Sequence, residues 1–310
     1  MSESSTIELT HLQLGHPAEK RQDVVAREEP LEIRVEGRSV AVVMRTPGHD
    51  EELVAGFLVT EGVITCARDV LEISQCPSVG NKHGNIVDVL LGRAVVNWES
   101  LTRHVFSASS CGLCGKTSIE SVFQKFPTLN QNQCSVRSPQ PSDEGAGSLP
   151  TENCALNTEH SSSSLTPSSF PPISPDLIAS LPAKLRAAQE TFSKTGGLHA
   201  SALFDAQGEL IVIREDVGRH NALDKVLGYA LQRNLLPLSQ HILLVSGRVS
   251  FEIIQKALAG GIPIVAAISA PSSLAVDFAQ DSGQTLIGFL RGETMNVYTH
   301  PERLHFPTPA

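Results

Sequence analysis

His241-Ile242-Leu243-Leu244-Val245, followed at once by Ser246-Gly247-Arg248-Val249-Ser250, decides the fold class. Five residues too apolar to alternate between core and water read as a strand buried on both faces. The polar turn then leads into a helix carried by Phe251, Ile254 and Leu258. Outward from this unit the same rhythm repeats. Leu210-Ile211-Val212-Ile213 precedes a helix with Ala222, Leu223, Val226, Leu227, Ala230 and Leu231 on one face, and Ile262 to Ile268 precedes a helix around Leu274 to Ala279. Strands alternating with helices predict an α/β layer with a largely parallel, doubly covered sheet. Thr285 to Leu290 and Asn296 to Thr299 read as two further strands, antiparallel at the edge.

The N-terminal part has a different character. Leu31-Glu32-Ile33-Arg34-Val35 alternates, Gly37 turns the chain, and Val40 to Met44 returns it as a hairpin. Asp50-Glu51-Glu52 opens a helix through Phe57 and Leu58, with acids in the first turn where the dipole favours them. Short strands follow at Val70 to Ile73 and Ile86 to Leu91. Four segments result: a mobile N-terminus at 1–22, a small α+β domain at 23–129, a Ser/Pro-rich disordered insert at 130–175, and the larger α/β domain at 176–310.

Ser109-Ser110-Cys111-Gly112-Leu113-Cys114-Gly115-Lys116 carries the most reactive chemistry. Thr117 and Glu120 have the form of a capping box, so the cysteines precede a helix N-terminus. The helix dipole and Lys116 both favour thiolate over thiol, and the flanking glycines leave the loop free to approach a partner. A structural zinc needs a second cysteine pair, whereas Cys66, Cys76, Cys134 and Cys154 are isolated. A thioredoxin-like dithiol would sit in a similar loop, but the strand and aromatic setting upstream is missing.

Ligands of open α/β sheets collect at the carboxyl ends of strands. Here those ends carry Arg214-Glu215-Asp216-Val217-Gly218-Arg219-His220-Asn221 and Ser246-Gly247-Arg248, each pairing glycine with arginine at a helix entrance. Backbone N–H groups and a guanidinium fork make a phosphate or pyrophosphate cradle. A capped helix start would look the same. Phe289-Leu290-Arg291-Gly292-Glu293-Thr294 is a third surface, also readable as a hairpin turn. His199, after Gly196-Gly197, and His220 titrate near neutral pH and read as either proton-transfer groups or struts.

A net charge of -9 argues against a general nucleic-acid binder. With neither an apolar leader nor a membrane span, the chain is expected to be cytoplasmic, where a structural disulfide would not persist.

Taken in order, Cys111 to Lys116, Thr195 to Ala200, Arg214-Glu215-Asp216-Val217-Gly218-Arg219-His220-Asn221-Ala222-Leu223-Asp224-Lys225 and Ser246-Gly247-Arg248 resemble the FdhD family of formate dehydrogenase accessory sulfur carriers. The long third block is highly specific, and the insert at 130–175 is longer than the family pattern. The resemblance implies a cytidine-deaminase-like C-terminal domain and a homodimer. It also implies a persulfide relay: a cysteine desulfurase loads sulfur onto the Cys-x-x-Cys loop, and the carrier passes it to a Mo-bis(molybdopterin guanine dinucleotide) cofactor destined for formate dehydrogenase. The cofactor's nucleotide portions are expected on Phe289, Leu290, Arg291, Gly292, Glu293, Thr294, Arg219, His220, Ser246, Gly247 and Arg248. By the family pattern Cys111 is the acceptor with Cys114 as its partner. The dipole argument would instead make Cys114 the more acidic thiol, since it is nearer the helix. No structural metal is expected. A hydrolytic deaminase would need a Pro-Cys-x-x-Cys segment, which is absent. A cofactor-binding chaperone without sulfur transfer, or a thiol-disulfide oxidoreductase, are the alternative functions.

Overall fold

A computed structural model describes residues 2–76, 84–92, 98, 128–129 and 170–305. The chain is a mixed α/β structure. Its larger sheet takes β7 (His199–Asp205), β8 (Leu210–Asp216), β9 (His241–Val245), β10 (Ile264–Ala267), β11 (Thr285–Arg291) and β12 (Thr294–Thr299) in the order β12-β11-β10-β9-β7-β8. Helices α4 (Arg219–Gln232), α5 (Phe251–Ala259) and α6 (Ser273–Ser282) cover one face, and α2 (Pro175–Ala188) covers the other. Short α3 (Glu190–Thr195) leads into β7. Along β9, Ile242 and Leu244 enter the core beneath α2 while Leu243 and Val245 enter the core beneath α4 and α5. Burial on both faces is why this strand is continuously apolar.

The sheet is less parallel than the sequence suggests. The parallel pairs are β9–β10 and β10–β11; β7 opposes both of its neighbours and β12 opposes β11. The cause is local. β7 and β8 are joined by a tight turn at residues 206–209, with Gly208 at φ 78°, too short for a crossover helix.

The smaller sheet has the order β4-β3-β6-β5, from β3 (Glu29–Val35), β4 (Arg38–Arg45), β5 (Val70–Gln75) and β6 (Ile86–Leu91). Against it lies α1 (Asp50–Thr60), whose Leu53, Val54, Leu58 and Val59 are buried with Leu31, Ile33 and Val87. Each such side chain stabilises the fold by roughly 1.5–3 kcal/mol. The other side of α1 meets α4 at backbone distance. A Cβ on Gly56 would sit 1.8 Å from the Asp224 carbonyl oxygen, and one on Gly228 would sit 1.8 Å from that of Glu52. The two glycines let the helices touch, which joins the N-terminal segment to the large sheet.

Two segment boundaries differ from expectation. Residues 1–22, expected to be mobile, contain β1 (Ser4–His11) and the start of β2 (Glu19–Ala26), an antiparallel hairpin tied down by Arg27 N–H donating to the Glu3 carbonyl at 2.9 Å. Both faces are largely exposed, so no apolar alternation announced it. At the other end of the insert, Ile173 is buried and bridges Leu304, so the C-terminal fold begins before 176. The rest of the insert lies outside the described residues. No helix among the described residues is long and apolar enough to cross a membrane.

Gly228→Ala should therefore destabilise the protein by at least about 1–3 kcal/mol, the usual range for overpacking. Alanine's helix propensity would contribute about 1 kcal/mol in the opposite sense, so a variant at least as stable as the parent in urea unfolding would refute the close helix contact.

Candidate functional site

The strand directions bring five chain segments to one edge of the large sheet. β8, β9, β10 and β11 end there and β7 begins there, since His199 pairs with Asp216 and Ser201 with Val245. The loops are stitched to one another. Ala200 N–H donates to Ser246 Oγ at 2.9 Å, and Ser246 N–H donates to the Ala200 carbonyl at 2.9 Å. Val249 N–H donates to the Ala270 carbonyl at 3.1 Å and Phe289 N–H to the Ser269 carbonyl at 3.1 Å.

Arg219 and His220 open α4, which no side chain caps, and Ser246, Gly247 and Arg248 lead into α5, likewise uncapped by a side chain. A Cβ on Gly247 would lie 3.1 Å from His199 Nδ1 and 3.7 Å from Arg219 Cβ, so the loops meet closely at this glycine. Neither Arg219 nor Arg248 makes an ion pair or hydrogen bond within the described residues, and Arg219 Nε is buried without a partner. His220 is 5% exposed, its Nε2 3.0 Å from Glu252 Oε2 and 3.3 Å from Ser250 Oγ. Both neighbours use the same nitrogen, so this is no Ser-His-carboxylate relay; Nδ1 is left without a partner. Burial pushes the His199 imidazole below its ordinary pKa, assisted by Arg219, His220 and Arg248 and opposed by Asp216.

The rest of the long block is a joint. Arg214 forks onto Glu52 of α1, with Nη2 donating to Oε1 at 2.8 Å, and lies 5.2 Å from the Tyr229 ring centroid. The Glu215 carboxylate accepts from Thr191 and Phe192 N–H at 2.9 Å each, capping α3. Asp216, fully buried, accepts from Gly218 N–H at 2.8 Å, Asn221 Nδ2 at 3.0 Å, Thr46 N–H at 3.1 Å and Lys225 Nζ at 2.7 Å. Asp224 takes Lys256 Nζ at 2.8 Å beside Thr60, although burial still pushes its carboxyl up. Arg45, also fully buried, pairs with Asp50 at 2.8 and 2.9 Å. Of this block, Arg219 and His220 alone supply the unpartnered nitrogens at the edge.

Phe289 to Thr294 spans the end of β11, the turn at Gly292-Glu293 and the start of β12, two strand steps or about 10 Å from the Ser246 loop. Phe289 is 40% exposed at φ 51°, a strained backbone for a bulky residue. Arg291, Gly292, Glu293 and Thr294 are exposed, and Gly292 at φ 55° makes the turn. Leu290 is a correction: it is fully buried with Ile264, Ala266 and Ile287, because the irregularity in β11 between Gly288 and Arg291, where Phe289 takes φ 51°, returns it to the face of Ile287. Cys111, Cys114 and the Thr117 to Glu120 cap lie outside the described residues. Glu252 and Ser250 were not singled out from sequence; their role depends on α5 packing beside α4.

A protein-family model for the FdhD/NarQ family matches residues 26–142 and 130–305. The chain belongs to the FdhD/NarQ family. The sulfur carrier protein FdhD of Streptomyces avermitilis is 47% identical over 290 residues, 92% of this chain and 90% of its own. The protein of that name in Mycolicibacterium paratuberculosis is 43% identical over 309 residues, 98% of this chain and 100% of its own. That of Sulfurisphaera tokodaii is 42% identical over 285 residues, 91% and 92% of the two chains. A crystal structure from Desulfotalea psychrophila, described as a formate dehydrogenase accessory protein, superposes with TM-score 0.67 over 98% of this chain and all of that one at 23% identity. This supports the same overall fold.

The joint makes a stability prediction for a family member. Asp216→Ala strands the buried Lys225 ammonium and should cost about 3–5 kcal/mol, whereas exposed Glu293→Ala should change unfolding free energy by less than about 0.5 kcal/mol. Equal effects in denaturant titrations would refute the assignment of Asp216 to the joint.

Proposed function

We propose that the protein is a sulfur carrier that takes persulfide sulfur from a cysteine desulfurase on Cys111 and delivers it to a Mo-bis(molybdopterin guanine dinucleotide) cofactor bound for formate dehydrogenase. The observation that carries the reading is near-full-length identity of 42–47% to proteins named sulfur carriers. The chemistry is thiol exchange. A Cys111 thiolate attacks the outer sulfur of the desulfurase persulfide, forming Cys111–S–S–H once protonated and releasing the desulfurase thiolate. Cys114 thiolate then attacks the inner sulfur, a Cys111–Cys114 disulfide forms, and the outer sulfur leaves as hydrosulfide for the molybdenum site. A cellular dithiol reductant returns the disulfide to two thiols.

The sheet edge supplies the cofactor's seat in this reading. Arg219 and Arg248, both without a carboxylate partner among the described residues, suit its pyrophosphates, and the exposed Phe289 ring offers a face to a purine. A spread of about 10 Å between the two places suits a long ligand better than a single phosphate. A cytidine-deaminase-like layering of the large domain, a homodimer and a cytoplasmic setting belong to the same proposal.

Intact-mass measurement after incubation with desulfurase and cysteine tests it. The expected result is a reducible adduct of one sulfur that vanishes in Cys111→Ala; loss only in Cys114→Ala would move the acceptor to the thiol nearer the helix. An adduct in neither form, nor in the parent, would leave the cofactor-binding chaperone. Arg219→Gln and Arg248→Gln should each weaken guanosine diphosphate about tenfold, the loss of one charge-assisted hydrogen bond. Unchanged affinity in both would remove the cradle.

A further inference from the structure

We propose that His199 is the proton-coupled member of a dianion seat, formed with Arg219, Arg248 and the N-terminal turns of α4 and α5, that takes a phosphate-type group. The inference rests on the cofactor-binding part of the function proposed above and adds a ligand-facing residue and a pH response to it. The chain as a whole is acidic at -9, yet this edge gathers two guanidinium groups with no carboxylate partner among the described residues. Two helices of 14 and 9 residues begin there without a side-chain cap. Buried His220 leaves Nδ1 unpartnered and Arg219 leaves Nε unpartnered, so the edge holds unmet hydrogen-bonding capacity. His199 stands at the first position of β7, where bare Gly247 allows the loop after β9 to reach its ring.

The groups acting on His199 come from both flanking loops: Asp216, Arg219 and His220 from the β8–α4 connection, and Arg248 from the β9–α5 connection. Burial and three of these four disfavour imidazolium, so the empty seat holds a neutral ring near neutral pH. A bound dianion reverses the local field and favours the charged ring. Binding then takes one proton from solvent onto His199. The sign follows. Below the pKa of the empty site the ring is charged in both states and affinity is highest; as pH rises through the window up to the raised pKa of the bound state, affinity falls; above it affinity is constant and lower.

Sulfate is the probe, because it stays dianionic across the histidine range while phosphate titrates within it. Calorimetry of the full-length protein from about pH 5 to about pH 8, in buffers of different ionisation enthalpy, should show affinity falling roughly tenfold with up to one proton taken up per sulfate. His199→Gln should keep binding at the weaker, high-pH affinity and lose both the slope and the proton uptake. In the unaltered protein, imidazole NMR should show the His199 pKa rising when sulfate is added, a readout independent of whether the variant folds. A slope retained in His199→Gln, or a His199 resonance whose titration ignores sulfate, overturns the proposal. Sulfur loading is scored separately. An adduct without coupled sulfate binding refutes this inference and leaves the relay standing, and coupled binding without an adduct does the reverse.

Discussion

The contact on which the structure depends is backbone against backbone where α1 crosses α4. With Gly56 over the Asp224 carbonyl and Gly228 over that of Glu52, no side chain separates the helices. Close approach brings the flanking charges within reach of one another. Glu52 finds Arg214, Thr60 finds Asp224 and Lys256, and Thr46 finds Asp216 and Lys225. Each of these ions would be costly to bury alone. Together they make the small sheet, α1 and the large sheet a single packed body, and they hold the loop after β8 in one place.

That joint explains the density of charge in the Arg214 to Lys225 block. Arg214, Glu215, Asp216, Asn221, Asp224 and Lys225 are spent on packing partners, Ala222 and Leu223 are buried in the core, and Arg219 and His220 are left at the sheet edge. The division is geometric. On a helix, Arg219 and His220 lie in the first turn, facing the strand ends, while Asp224 lies far enough along to meet α5 and α1. A motif specific enough to mark a family is here mostly packing framework, with Arg219 and His220 as the part that keeps an unpartnered nitrogen.

The electrostatics of the edge follow from the same packing. The oxygens of Asp216 are taken up by four donors, none of them Arg219. Positive charge with low-dielectric walls focuses field toward the strand ends, which an acidic protein otherwise lacks. The Glu252 carboxylate serves His220 at Nε2 and leaves the cation pair of Arg219 and Arg248 uncompensated.

The sequence by itself determined the strand and helix succession from β8 to β12, the β3–β4 hairpin and α1, because burial on both faces or on one imposes an apolar pattern that needs no knowledge of the partner. It also determined the family, through blocks whose order and spacing few other chains share. Only the tertiary structure decided the direction of β7, the β1–β2 hairpin, the burial of Leu290, and the grouping of His199 with Arg219 and Arg248. The reason is the same in each case: these features depend on what lies across a strand or helix, and residues such as Glu52 and Arg214, 162 positions apart, carry no local sign of their meeting.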